Sequence, residues 1–415
     1  MVRLHVVLAV VGVAGLVLAL FSGSIRRLPL SEPLVVLVLG VVLGPYVLGV
    51  LDLSDGTRTE VLLEGSRVLL AWSVTAAALR FPVRPLRGVL RPVGLLLVVA
   101  MPLAAVSTGA AALVTGVPLA LAAVVGACLS PTDPVLAASV VTGGPAEHNL
   151  PGRLRQVITV ESGANDGLAL PLVVLALAWA GPGETFGAAV RELLWQVLAG
   201  SAIGALLGLG TGWALRVVSR RRDLEHGPQL VLTLLMAIAV LGVCRLANTD
   251  GVLGAFVAGL AYNALVERSE RQPEQGIDEA VNRYAVLPLF LVLGAVLPLR
   301  DWVALGPGVV LFAVAVLLVR RLPFVLALAR PLGLSVRDAT FAGWFGPVGV
   351  SAIFYLAHSA EQGITDPRVF ALGSLAVALS VVAFGVSSVP LRNLYARSRT
   401  DGAAPGASGA GRRAS

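Results

Sequence analysis

The sequence predicts an all-α protein that crosses a membrane many times, and three observations carry that reading. Of 415 residues, 57% are apolar and 13% charged, with a mean hydropathy of +0.87, against roughly 25% charged in an ordinary soluble domain. Apolar runs of about 20 residues, each long enough to cross roughly 30 Å of hydrocarbon as a helix, recur from end to end. The charge is also sorted: all 31 basic residues are Arg, the formal net charge is +7, and the arginines gather in alternate loops. A water-soluble enzyme is excluded, because a soluble fold of this length needs far more polar surface around its core. A nucleic-acid partner is not expected either, since no basic face with aromatic or motif context is present. Cys128 and Cys244 lie inside apolar runs and offer no disulfide framework. His5, His148, His226 and His358 are scattered and form no metal-ligand cluster.

Thirteen spans are expected, at about 3–22, 31–51, 61–80, 92–115, 118–141, 155–180, 187–218, 228–247, 250–267, 281–298, 303–329, 337–359 and 367–391. The first reads as a retained span: one arginine, Arg3, precedes it and a pair follows at Arg26–Arg27, whereas a signal peptide carries its charge in front. One set of loops holds Arg26–Arg27, Arg80, Arg84, Arg87, Arg91, Arg153, Arg155, Arg216, Arg220–Arg222, Arg330, Arg337, Arg392, Arg397 and Arg399. The alternate set is nearly free of Arg and includes Asp52, Asp55 and Glu60. The positive-inside rule puts the first set in the cytoplasm, so the N-terminus faces out and the C-terminus in. Residues 396–415 are rich in Gly, Ala, Ser and Arg and read as a disordered cytoplasmic tail.

Four of these spans break the hydrophobic pattern. The fifth carries Ser130-Pro131-Thr132-Asp133-Pro134 at its middle. Each proline removes a backbone donor and clashes with the preceding turn, so the helix should unwind there. Such backbone persists at that depth only where it is buried in protein or lines a cavity. The twelfth span is interrupted in the same way at Gly343-Trp344-Phe345-Gly346-Pro347-Val348-Gly349. Breaks at corresponding places in two halves mark the binding site of inverted-repeat secondary transporters. The eleventh span holds Arg320 and Arg321, and a guanidinium that cannot shed its charge needs a carboxylate.

The sixth span holds the densest polar cluster, Glu161-Ser162-Gly163-Ala164-Asn165-Asp166-Gly167. On a helix Glu161 and Asn165 share one face and Ser162 and Asp166 the next, so one pair can point into packed protein and the other into a cavity. An Asp at a helix centre costs about 2.5–3.5 kcal/mol to insert, which makes Asp133, Glu161 and Asp166 functional candidates. The bland reading is a structural hydrogen-bonded pair for Asp166 and Asp133, and simple helix kinks for Pro131 and Pro134. Three acids against two arginines, at most, leave one acid without a partner. A carboxylate without a counter-charge in low dielectric holds a proton more readily than in water. Deprotonated, it offers hard oxygen to a small cation, so proton and cation compete for one site. Ser162 as an intramembrane nucleophile lacks a His base in neighbouring spans and a nucleophile-elbow pattern, which argues against an enzyme. His148, beside Glu147 in a loop, reads as a solvated residue, with pH sensing as its sharper alternative.

At these residues the sequence resembles the monovalent cation/proton antiporter superfamily, in particular the NhaP-type sodium/proton exchanger branch marked by Asn-Asp on the sixth helix. The resemblance covers about 1–395 and rests on Thr132-Asp133 in a broken fifth helix followed by Glu161-Ser162-x-x-Asn165-Asp166. It implies a core bundle of about 92–180 and 303–391 in which broken helices five and twelve cross. It also implies an interface domain of about 1–80 and 228–298, a linker helix of about 187–218, and a homodimer working as an elevator. Asp166, with Asp133 close by, would bind the transported cation and the proton, and Thr132 and Ser162 would add oxygens. Glu161 would pair with an arginine of the eleventh helix, Arg321 by register with Val325 or else Arg320, and fix Asn165. Gly346, Pro347 and Gly349 would form the second break, although relatives often carry Arg there where this chain has Pro347-Val348. The expected activity is exchange of Na⁺, Li⁺ or K⁺ for H⁺ across the cell membrane by alternating access, electroneutral because Asn165 precedes Asp166. No cofactor is implied beyond the transported ions. A K⁺/H⁺ antiporter stays open, since both metals take oxygen ligands. A cation channel is the other alternative, although channels build rings from several subunits.

Overall fold

The computed structural model describes residues 2–25, 31–80, 88–141, 144–181, 186–220, 226–249, 251–266 and 285–401, and among them all regular structure is helical. In chain order the helices are α1 (Val2–Ile25), α2 (Glu32–Leu43), α3 (Asp55–Leu79), α4 (Leu90–Thr115), α5 (Leu119–Cys128), α6 (Pro134–Val141) and α7 (Gly144–Asn149). There follow α8 (Gly152–Leu168), α9 (Leu170–Ala180), α10 (Phe186–Arg220), α11 (His226–Leu246), α12 (Val252–Leu265), α13 (Leu287–Ala295) and α14 (Leu299–Ala304). The last are α15 (Gly308–Leu318), α16 (Leu322–Ala327), α17 (Ala329–Leu332), α18 (Val336–Trp344), α19 (Val350–Glu361) and α20 (Pro367–Asp401). Each expected span overlaps one of these helices or a consecutive run of them. Six stretches among the described residues are long and apolar enough to cross a bilayer unaided: Gly56–Leu79, Leu90–Thr115, Gly152–Ala180, Gly187–Val218, Gly308–Ala327 and Pro367–Ala396. The protein is a multi-pass membrane protein.

Proline sets most of the interruptions, because it cannot donate to the carbonyl four residues back and its ring crowds that carbonyl. Pro102 is preceded by a π-helical turn over Leu96–Ala100, which lets α4 continue with one widened loop. Pro171, in the first turn of α9, follows the turn at Ala169 that separates α8 from α9. Pro323, in the first turn of α16, follows a break at 319–321. Here the structure departs from the expected continuous eleventh span over 303–329. That stretch is α14, a turn at Gly306 with φ 72°, then α15 and α16 separated by the two arginines.

Small residues let the helices approach. Gly204 and Gly208 of α10 lie against the backbone of Gly254 and Ala258 of α12, so a β-carbon at either glycine would meet main-chain atoms. Gly40 of α2 and Gly294 of α13 face each other in the same manner. In lipid, where burying apolar surface gives no driving force, this close van der Waals packing is what holds helices together. The α3 helix packs along α8, α12 and α19. Asn263 Nδ2 on α12 donates to Ala78 O at 2.7 Å and Thr75 Oγ1 on α3 donates to Ala255 O at 3.2 Å. These bonds tie α3 to α12 at full burial.

Asp366 caps α20 by accepting from Arg368 N at 2.9 Å, with Pro367 in the first turn where its missing N–H costs nothing. The Arg368 guanidinium beside it holds the Asp366 carboxyl below the usual carboxylate range. The α20 helix runs to Asp401, so residues 396–401 of the expected disordered tail are helical, and 402–415 lie outside the described residues. Arg26, Arg27, Arg84, Arg87, Arg221, Arg222 and Asp250 also lie outside them.

Candidate functional site

The interruptions of spans five and twelve meet. The extended stretch between α5 and α6 (129–133) lies beside that between α18 and α19 (345–349), joined by Asp133 N donating to Pro347 O at 2.8 Å. Four half-helix ends converge there, and two side chains settle them. Asp133 accepts from Leu136 N at 2.9 Å with Oδ1, and from Val350 N with Oδ2. One carboxylate therefore caps the N-terminal ends of both α6 and α19, where unpaired N–H groups and the dipole favour negative charge. Arg320 does the reverse. Its Nη1 donates to Leu129 O at 3.1 Å, Pro131 O at 3.3 Å and Ser130 O at 3.4 Å, and its Nη2 donates to Gly346 O. Backbone freed by Pro131, Pro134 and Pro347 is thus satisfied inside protein, as it must be at membrane depth.

Gly346 and Gly349 make room for this arrangement. A β-carbon at Gly349 would run into the Asp133 carboxylate, and one at Gly346 into the Arg321 side chain. Gly349→Ala should therefore force Asp133 off the α19 amide at a cost of about 1–3 kcal/mol of overpacking. A fall in the melting temperature of the detergent-solubilised protein is the expected result; an unchanged melt would contradict this packing.

Beside the crossing, α8 supplies a second polar layer. Arg321 Nη1 and Nη2 donate to Glu161 Oε1 at 2.8 Å and Oε2 at 3.0 Å, a bidentate pair, and Arg321 Nε donates to Ala342 O at 3.1 Å. Asn165 Nδ2 donates to Glu161 Oε1 at 2.9 Å and to Thr132 Oγ1 at 2.7 Å, while Thr132 N donates to Asn165 Oδ1 at 3.2 Å. The Thr132 and Ser162 hydroxyls lie 3.1 Å apart. So the two arginines, left open between by the sequence, have separate partners: Arg321 takes Glu161, and Arg320 takes backbone carbonyls on both breaks.

Asp166 is the exception. It is fully buried, at 0% exposure, and among the described residues neither carboxylate oxygen has a hydrogen-bond partner. Ser351 of α19 is beside it, equally buried, with its hydroxyl within reach of the carboxylate and bonded to nothing else among the described residues. One turn further along α19, Tyr355 OH donates to the Asp166 backbone carbonyl at 2.5 Å and holds that stretch of α8 in place.

The polar residues singled out on spans five, six and eleven are therefore brought to one place, but unequally. Thr132, Ser162, Glu161, Asn165 and Asp133 are engaged with one another or with backbone; Asp166 is not. Ser351 and Tyr355 escaped the sequence reading, because a lone Ser and Tyr in an apolar run look like ordinary core. A further group was missed between α3 and α19: Arg67 of α3, buried, lies over the Phe354 ring at 5.5 Å and 3.8 Å from Glu361, which also approaches His358 Nδ1 at 3.4 Å. The two acids beside Arg67, Glu361 and the Glu64 that pairs with it, gave no spacing signal because they sit on different helices far apart in the chain. His148 is exposed, and its neighbour Glu147 pairs with Arg155 at 3.5 Å rather than with the site.

Known proteins of this kind agree with the fold. The sodium proton antiporter MjNhaP1 from Methanocaldococcus jannaschii superposes with a TM-score of 0.76 at 15% identity, covering 95% of this chain and 98% of that one. The Na(+)/H(+) antiporter 2 of Zygosaccharomyces rouxii is 31% identical over 380 residues, 87% of this chain and 46% of that protein. A Na(+)/H(+) antiporter of Schizosaccharomyces pombe is 26% identical over 376 residues, 86% of this chain and 80% of that protein. The chain spans about half the length of the Zygosaccharomyces relative. The model of the transmembrane sodium/hydrogen exchanger family matches residues 14–393, nearly the whole described length, and the chain belongs to that family.

Proposed function

We propose that the protein exchanges Na⁺ for H⁺ across the cell membrane by alternating access, with Asp166 as the group that carries either ion. The observation that supports this most is the Asp166 carboxylate, fully buried with no hydrogen-bond partner among the described residues while every acid around it has one. A buried charge without a partner is costly, and binding either a proton or a metal ion removes that cost. The two ions cannot do so together at one carboxylate, so occupancy by one expels the other. Glu161 is neutralised by Arg321, and both oxygens of Asp133 accept backbone amides. That leaves one exchangeable negative charge, which supports one cation moved per proton and no net current. The broken helices, the core and interface division at about 92–180 with 303–391 against 1–80 with 228–298, and a homodimer with its C-terminus in the cytoplasm belong to the same proposal. Lithium and potassium remain candidate substrates, since hard oxygen ligands accept both.

In proteoliposomes with an acid interior, added NaCl should release protons from the lumen, and clamping the membrane potential should leave the rate unchanged. A cation channel would instead pass current without moving protons, and a rate that followed the potential would overturn electroneutrality. Parallel runs with LiCl and KCl would rank the substrates.

A further inference from the structure

Thr132, Ser162 and Asp133 are the oxygen donors that the sequence offers beside Asp166, yet the structure commits each of them elsewhere. Thr132 Oγ1 accepts from Asn165 Nδ2 at 2.7 Å and lies 3.4 Å from Glu161 Oε2 and 3.1 Å from Ser162 Oγ. Both Asp133 oxygens accept amides of half-helix ends. A cation taken up by these groups would have to break bonds that hold the crossing together. Around the crossing, the buried oxygens that no third group engages among the described residues are three: both of Asp166 and the hydroxyl of Ser351 beside them. They come from opposite halves of the chain, α8 and the second half of the twelfth span, and Tyr355 holds the two helices in register one turn away. Buried polar atoms are normally hydrogen-bonded, and each exception asks for an explanation. A buried hydroxyl without a partner costs free energy unless something else fills its acceptor site.

We infer that Ser351 is a direct ligand of the transported monovalent cation, completing with Asp166 an oxygen pair that bridges the two halves. A hydroxyl suits the role. It has two acceptor lone pairs for a dehydrated alkali ion, carries no charge that would alter the one-for-one stoichiometry, and can turn its proton away when the metal arrives. When Asp166 is protonated instead, the same hydroxyl oxygen can accept the carboxyl proton. With Asp166 charged and unloaded, the hydroxyl can donate its own proton to the carboxylate, so Ser351 can follow the site through all three states. The inference rests on the reading of Asp166 as the shared site, and it adds a ligand from the other half of the protein.

The test is Ser351→Ala in the full-length protein, measured two ways. In proteoliposomes, the KM for Na⁺ should rise about tenfold, the scale of one lost polar contact, while the rate at saturating NaCl falls far less. In detergent without Na⁺ the variant should melt close to the parent, because the hydroxyl it loses reaches only the Asp166 carboxylate. Its stabilisation by added NaCl should need about tenfold more salt. An unchanged KM together with an unchanged salt-dependent melt would overturn the inference. A variant that melts far lower without Na⁺, or fails to fold, would overturn it too, since the hydroxyl would then be needed by the scaffold and not by the metal. Failure of the functional reading looks different: the parent protein itself would show no Na⁺-driven proton movement, and the melting series would still report whether Ser351 contacts the metal.

Discussion

Replacing Asp166 by Asn is expected to abolish exchange: Na⁺-driven proton movement should fall to the level of protein-free liposomes, a loss of at least about a hundredfold if one ionisable group carries both ions. The substitution keeps shape and volume, so packing is retained. What it removes is the ability to become anionic, and with it both the proton-binding and the metal-binding state. The folded protein should not suffer. The carboxylate oxygens have no hydrogen-bond partner among the described residues, so none is lost, and a buried unpaired charge is replaced by a neutral amide. The expected melting temperature without Na⁺ is equal to the parent's or higher, and the stabilisation of the parent by added NaCl disappears. Exchange that persists undiminished in Asp166→Asn would sink the assignment of Asp166.

The second large effect falls on the Glu161–Arg321 pair and is one of stability. Arg321→Ala strands Glu161, which is 1% exposed, with only Asn165 and Thr132 to hold its charge. Breaking a buried pair from one side costs about 3–5 kcal/mol, because the penalty of the remaining charge is added to the lost contact. The yield of folded protein should fall sharply. The double variant Glu161→Gln with Arg321→Met should recover a large part of that loss, since neither charge then remains. Arg320→Ala is destabilising as well, for it releases carbonyls at both breaks, but Glu161→Gln should not relieve it. Equal relief of both arginine variants by Glu161→Gln would contradict the partner assignment.

Much of this site is legible in the chain because its chemistry is expensive where it lies. Acids and arginines in apolar spans stand out, and the paired prolines around Thr132-Asp133 announce unwound backbone. What cannot be read is tertiary. Arg320 and Arg321 are neighbours, and only the break at 319–321 decides which way each points; Pro323 was visible, but a proline in a membrane helix as often kinks as breaks it. Asp133 reads as a ligand by type and depth, and its use as a cap depends on where Val350, 217 positions away, brings its amide. Ser351 sits in Val350-Ser351-Ala352, a composition found in any tightly packed helix, and acquires meaning only from its neighbour on α8.

Asp133 and Arg320 each grip backbone from both breaks, and the Asp166 carboxylate takes no part in either grip. With Asp166 as the proposed loading group, fastening is kept apart from loading. The scaffold can be braced as one rigid block while its single cargo hook is full or bare, so a swap of passengers need not loosen the rivets. A protein built this way can be tuned for a different passenger at the hook alone, without reopening the frame that carries it.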